Sequence, residues 1–293
     1  MISTPVLCVS ALTAVLYALG ALVLKRANDY PIGVWRATFL CNQLLGLGML
    51  QLWFFGGEFQ GWGAMIYPAI TGLLLVAGQG LAVLALAKGD VSVATPLLGL
   101  KIILVAFCAR LLFGELLPGR LWIAVLLASV SVILMNLGGK AARKRAGFTI
   151  IVSVGAAAAF ALFDVLVQYW AAPWGVGRYL PVMGLFTSLF SLAFIPFFRE
   201  PLRKIPSSAM RWLWLAAGLL SGQSVIFVSM LAIWGEAAVA NVIYSSRGIW
   251  SIVFVWLLGH WMAREERQLG GKVLAFRMAG AIVLSVAILI LLL

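Results

Sequence analysis

The sequence predicts an all-α membrane protein of ten transmembrane helices, arranged as two inverted five-helix repeats. Three observations carry that expectation. The chain is 64% hydrophobic and 10% charged, with a mean hydropathy of +1.09, more apolar than a water-soluble core of this size requires. Its apolar residues fall into segments of about 20, the length a helix needs to cross a hydrocarbon core of about 30 Å. A set of short motifs also recurs in order. Gly89-Asp90-x-x-Val93-Ala94, followed by Lys101, returns as Gly235-Glu236-x-x-Val239-Ala240, followed by Arg247, an offset of 146 residues.

The segments follow one another with little left for a soluble domain. The first, 3–24, stops at Lys25-Arg26. It lacks a basic leader region and is long for a secretory signal, so it reads as a span. The second, 32–55, follows Pro31-x-Gly33, and the third, 64–87, runs up to Lys88. The fourth, 91–113, lies between the turn at Gly89-Asp90 and Gly114-Glu115, and the fifth is 119–137. The sixth (148–170), seventh (176–198), eighth (211–234), ninth (237–259) and tenth (273–293) repeat the order. Leu, Ala, Val and Gly dominate these stretches without the alternation of barrel strands, so each reads as a helix.

The duplication reaches beyond one motif. Pro31-x-Gly33-Val34-x-Arg36 recurs as Pro173-x-Gly175-Val176-x-Arg178, and Gly78-Gln79 recurs as Gly222-Gln223, at offsets of 142 and 144. The expected organisation is a first repeat at 1–139, a basic connector at 140–147 and a second repeat at 148–293. Five spans per half place the copies in opposite orientations, the arrangement of secondary transporters with a site near mid-membrane.

Charge orients the bundle. Connectors after odd-numbered spans, with their flanks, hold sixteen Lys and Arg residues, from Lys25 and Arg26 to Lys272 and Arg277. The opposite side holds Arg110, Arg120 and Arg178. Positive loops favour the cytoplasm, so both termini are expected outside it, in the cytoplasmic (inner) membrane. The net charge of +12 and the basic stretch at 138–145 read as topology signals facing anionic lipid, and nucleic acid is not expected as a partner.

Two cations stand out because ionisable groups inside a membrane are costly and mark function by default. Lys101 and Arg247 each lie about ten residues into their spans, roughly 15 Å deep at 1.5 Å per residue. Asp164 is the acidic residue well inside a span; Asp90 and Glu236 sit at turns, where acidic side chains cap helix starts. Two cations against one carboxylate leave positive charge in the core. Structural pairing, a water-filled cavity and an anionic substrate remain as readings, and the charge excess favours the anion. Asn241, Tyr244, Arg247 and Ser251 recur at steps of three to four on one face of the ninth span. Gln79, Gln223, Asn241 and Tyr244 are candidate substrate-orienting residues, with hydrogen-bonding between helices as the alternative. Asp164 and Gln168 are candidate coupling or gating residues.

Other chemistry is not expected. Cys8, Cys41 and Cys108 lie in separate apolar segments and read as core residues. His260, beside Trp261, reads as an interfacial anchor. No metal-ligand cluster, phosphate-cradling loop or Ser–Lys pair is placed, so neither a metal, a cofactor nor an enzymatic activity is expected.

The run from Ala87 to Ala94 into Thr95-Pro96-Leu97-Leu98, followed by Leu112-Phe113-Gly114-Glu115, resembles the drug/metabolite transporter superfamily, in particular its EamA-like ten-helix branch. The resemblance implies a carrier working by alternating access. It also implies, from related phosphate-ester carriers, that basic residues on the fourth and ninth helices hold the substrate phosphate; Lys101 and Arg247 stand on those helices. The second copy has Gly259-His260 where the first has Gly114-Glu115, and the family usually places its termini in the cytoplasm, against the charge bias here. The leading expectation is a transporter of a small organic anion, such as a phosphorylated metabolite. A flippase for an anionic or phosphate-bearing lipid and a non-transporting membrane assembly subunit are the alternatives. The oligomeric state, coupling ion and direction are not legible in the sequence.

Overall fold

The computed structural model describes residues 3–27, 29–30, 32–89, 91–135, 146–262 and 271–292. Among them are twelve α-helices and no strand: α1 (Thr4–Ala27), α2 (Val34–Leu50), α3 (Ile66–Lys88), α4 (Val91–Leu98), α5 (Lys101–Phe113), α6 (Gly119–Met135), α7 (Ala146–Trp170), α8 (Val176–Ser191), α9 (Ser207–Trp234), α10 (Ala237–Tyr244), α11 (Arg247–Met262) and α12 (Gly271–Leu292). Eight helical stretches among the described residues are long and apolar enough to cross a membrane. α6 and the Met278–Leu292 part of α12 are apolar but shorter. At 1.5 Å per residue the 17 residues of α6 reach about 26 Å, slightly short of a typical hydrocarbon core.

The fourth and ninth spans are not continuous. α4 and α5 meet at the turn Gly99-Leu100, where Gly99 and Leu100 donate to the carbonyls of Pro96 and Leu97 at 3.0 and 3.1 Å. Pro96 has no N–H, and its ring disfavours regular helix before it. α10 and α11 meet at Ser245-Ser246, where Ser246 donates to Ile243 and Gly248 to Ser245. Lys101 and Arg247 therefore open the second half-helix of each broken span. This corrects the expectation that they lie mid-way along unbroken helices.

Packing partners exchange between the halves. α1 lies against α9 as α7 lies against α3; α1 also meets α10 and α11, as α7 meets α4 and α5; α2 meets α9 as α8 meets α3. The pairs α2–α8 and α6–α12 join like with like. Small residues allow the close approaches. A Cβ at Gly72 of α3 would stand 3.1 Å from the Met183 carbonyl and the Thr187 nitrogen of α8, and one at Gly20 of α1 would stand 3.0 Å from Leu220 of α9, as expected where helices pack in lipid.

Tertiary hydrogen bonds sort the helix ends into two faces. On one, the Ser3 nitrogen donates to Glu236, Gln168 donates to Glu115, and Arg178 donates to the Trp53 carbonyl. On the other, Arg36 donates to the Ile32 carbonyl and, at 3.3 Å, to the Pro201 carbonyl, and Ala85, Ala94 and Val152 form one apolar cluster. The repeated Pro-x-Gly-Val-x-Arg motif explains part of this. Gly33 and Gly175 take φ of 79° and 74° at the starts of α2 and α8, a region that favours glycine. Each motif's arginine then reaches the segment that follows the other repeat's second helix.

Candidate functional site

The two helix breaks face one cavity of about 380 Å³. Lys101, Asn241, Tyr244 and Arg247 line it, with Tyr17 from α1 and Thr95 from α4. Its remaining wall is largely apolar, with Leu86, Ile102, Val132, Met135 and Ile252 among the contributors. Leu86 and Met135 lie at or near the ends of α3 and α6, so the cavity runs from the breaks toward the face that carries Arg36 and Lys88.

The cations differ in their surroundings. Lys101 Nζ pairs with Asp164 Oδ2 at 2.7 Å, and Asn241 Nδ2 donates to the same oxygen at 2.7 Å. Asp164 is 1% exposed, so this carboxylate sits behind the cavity wall and neutralises Lys101. Lys101 Nζ also stands 5.9 Å from the ring centroids of Phe160 and Phe227. Arg247 has no carboxylate within ion-pair distance among the described residues. Its Cζ lies 4.6 Å from the Tyr17 ring centroid and 4.7 Å from that of Tyr244, a cation–π contact on each ring. Tyr17 and Tyr244 meet edge to face at 5.9 Å, which fixes both rings.

Positions related by the recurring motifs stand in comparable places. Phe160 follows Tyr17 by 143 residues, and each presents its ring to the cation that opens the opposite repeat's broken half-helix. Asn241 follows Thr95 by 146 residues, and both line the cavity.

The expected site residues divide accordingly. Lys101, Arg247, Asn241 and Tyr244 converge, with Asp164 directly behind them. Ser251 also lines the cavity, although its hydroxyl donates to the Arg247 carbonyl at 2.8 Å. Gln223 contributes indirectly, accepting from the Tyr244 hydroxyl at 3.3 Å. Gln79 does not line the cavity, and its buried Oε1 has no hydrogen-bond partner among the described residues. The repeat offset of 146 puts Leu98 where Tyr244 stands, so the hydroxyl that engages Gln223 has no counterpart for Gln79.

Gln168 lies apart from the cavity. It stands at the far face, where its Oε1 accepts from the Ala237 nitrogen at 2.8 Å and its Nε2 donates to Glu115 at 3.4 Å. Tyr169 donates to the same Glu115 oxygen at 2.9 Å and stacks on Phe113 at 3.8 Å. Glu236 was expected to cap the ninth span. It takes φ 57° and makes no side-chain cap; Gln168 supplies the cap, and Glu236 accepts from the Ser3 nitrogen at 3.3 Å. This belt ties α5, α7 and the start of α10 together at the face opposite the one the cavity approaches. Asp90, the His260 side chain and residues 140–145 of the expected connector lie outside the described residues, and α7 takes in its last two residues, 146 and 147. Tyr17, Phe160 and Phe227 have no spacing signal that picks them out of apolar spans, whereas Glu115 ends the Leu112-Phe113-Gly114-Glu115 motif.

Comparison with known proteins agrees with the motif reading. No curated protein matches the chain in sequence. A solved structure described only as the crystal structure of a protein is 16% identical, covering 94% of this chain and 95% of that one with a TM-score of 0.67. At that identity the likeness is one of fold. Residues 4–137 match the model of the EamA-like transporter family, a stretch that holds α1 to α6 and the Thr95-Pro96-Leu97-Leu98 motif. Over that stretch the chain is similar to the EamA-like transporter family, consistent with the drug/metabolite transporter superfamily.

Proposed function

We propose that the protein is a multi-pass secondary carrier that moves a small organic anion across the cytoplasmic membrane by alternating access. The anion occupies the cavity between the two helix breaks. The observation that carries this reading is the contrast between the cations: Lys101 is paired with Asp164 at 2.7 Å, whereas Arg247 lines the cavity between the Tyr17 and Tyr244 rings with no carboxylate at ion-pair distance among the described residues. A guanidinium in that position offers a planar fork of donors to a carboxylate, sulfate or phosphate.

Two inverted five-helix repeats account for the exchanged packing of α1–α9 and α7–α3, and broken fourth and ninth spans at the repeat interface fit such a carrier. The belt of Glu115, Gln168 and Tyr169 closes one face in this conformation, and the cavity extends toward the other. By the bias of basic residues, the face it approaches is cytoplasmic and the termini lie outside. Transport follows when the halves rock, the belt parts and the cavity mouth closes. Asn241 and Tyr244 orient the anion, Gln223 holds Tyr244, and Asp164 gates by exchanging Lys101 between itself and the ligand.

The test is charge movement across proteoliposomes after concentration jumps of carboxylates, sulfate esters and phosphate esters. Saturable currents that disappear in Arg247→Gln are expected. Absence of anion movement, together with accelerated flipping of labelled anionic phospholipid, replaces the reading with that of a lipid flippase.

A further inference from the structure

We infer that the cavity selects singly charged anions carrying an apolar body, and discriminates against dianions. The inference rests on the proposed anion site and concerns which anion that site takes. Among the described residues, three charged side chains define the field at the helix breaks: Lys101, Arg247 and Asp164. Asp164, 2.7 Å from Lys101, cancels one of the two positive charges and leaves a net charge of +1 with the remaining cation at Arg247. One negative charge on a ligand neutralises the site. A second has no partner, and an unpaired charge taken out of water into an apolar surround is strongly disfavoured.

The wall favours an apolar ligand body. Tyr17 and Tyr244 hold the guanidinium at the inner end, while Leu86, Val132, Met135 and Ile252 flank the way toward the cavity mouth. A ligand with its anionic group at Arg247 lays whatever follows that group along these side chains. Apolar atoms there are favoured by burial, and among the described residues the lining offers no cation besides Arg247 and the Lys101 paired with Asp164. A sulfate monoester, sulfonate, phosphodiester or monocarboxylate with a hydrocarbon or aromatic body fits this description; a free phosphate monoester does not.

Phenyl sulfate and phenyl phosphate separate the possibilities, because they share a shape and differ by one charge at pH 8, above the second phosphate pKa of about 6. Binding is read as stabilisation of the purified full-length protein in detergent. Phenyl sulfate is expected to bind at least about tenfold more tightly than phenyl phosphate. Methyl sulfate, which lacks the ring, is expected to bind at least about tenfold more weakly than phenyl sulfate. Asp164→Asn raises the site charge to +2 and reverses the order of the two phenyl esters. Lys101→Met with Asp164→Asn restores +1 and keeps the sulfate first, which holds the test open even where the single variant folds poorly. Equal or tighter phenyl phosphate binding by the unmodified protein overturns the charge selectivity while leaving an anion site in place. Equal binding of methyl and phenyl sulfate overturns the apolar requirement. Binding of neither phenyl ester overturns the anion site itself.

Discussion

Replacing the partners of the Lys101–Asp164 pair one at a time and then together tests the assignment on which the site depends. The Asp164 side chain is 2% exposed and that of Lys101 17%, with 2.7 Å between them. Removing one partner of a buried pair leaves the other charge uncompensated and costs about 3–5 kcal/mol, whereas removing both at once is often close to neutral. Asp164 also accepts from Asn241, so Asp164→Asn loses a charge-assisted hydrogen bond and belongs at the upper end of that range. Lys101→Met retains that bond and belongs at the lower end. The double variant is expected to be within about 2 kcal/mol of the parent, since the Met thioether packs between Phe160 and Phe227. The coupling between the sites then amounts to about 6 kcal/mol or more. Reversible unfolding in mixed micelles, followed by tryptophan fluorescence, measures the cycle. Additive single-variant losses, with a coupling under about 0.5 kcal/mol, would refute the claim that Asp164 is committed to Lys101, and with it the net charge of +1 assigned to the site.

Three further outcomes follow from the geometry. Tyr17→Leu removes one of two ring faces from Arg247 and is expected to weaken anion binding severalfold, at about 0.5–2 kcal/mol for one cation–π contact; unchanged affinity by calorimetry contradicts this. Gly72→Leu forces a side chain against the Met183 carbonyl and the Thr187 nitrogen of α8. It is expected to destabilise the fold by about 1–3 kcal/mol, whereas an unchanged unfolding midpoint argues against close α3–α8 packing. Glu115→Ala takes the shared acceptor from Gln168 and Tyr169 and is expected to let the belt open more often. A cysteine introduced as Asn241→Cys, in a background freed of Cys8, Cys41 and Cys108, then reacts faster with an impermeant thiol reagent from the belt side; an unchanged rate removes the belt as a gate.

Much of the site was legible because a membrane chain has little reason to keep charge in its spans. Lys101, Arg247 and Asp164 stood out on that ground alone, and the repeat aligned the two cations before any contact was known. Asn241 and Tyr244 followed from helical spacing, which survives the break because Ser245-Ser246 makes a tight turn and keeps the direction of the face. The break itself was only half visible. Pro96 and Gly99 announce it in the first repeat, whereas two serines give no comparable signal in the second. Tyr17 was illegible: its role depends on α1 crossing beside α11, a contact no local pattern encodes. Gln79 shows how a duplication misleads, since repeat-related positions keep their chemistry only where their partners do. The spacing of Gln168 from Asp164 fixes a helix face but not the depth at which a partner waits, and its partners are the α10 start and Glu115. α6 and α12 are expected as spans, and both are apolar helices, of 17 and 22 residues.

The most direct test of the account is a calorimetric titration of the purified protein with phenyl sulfate, repeated on Arg247→Gln. The account predicts saturable one-to-one binding by the parent and a loss of at least about 30-fold in the variant, which corresponds to about 2 kcal/mol for a charge-assisted contact. Equal affinity in both proteins would contradict it, because the anion would then be held by something other than the cation that faces the cavity.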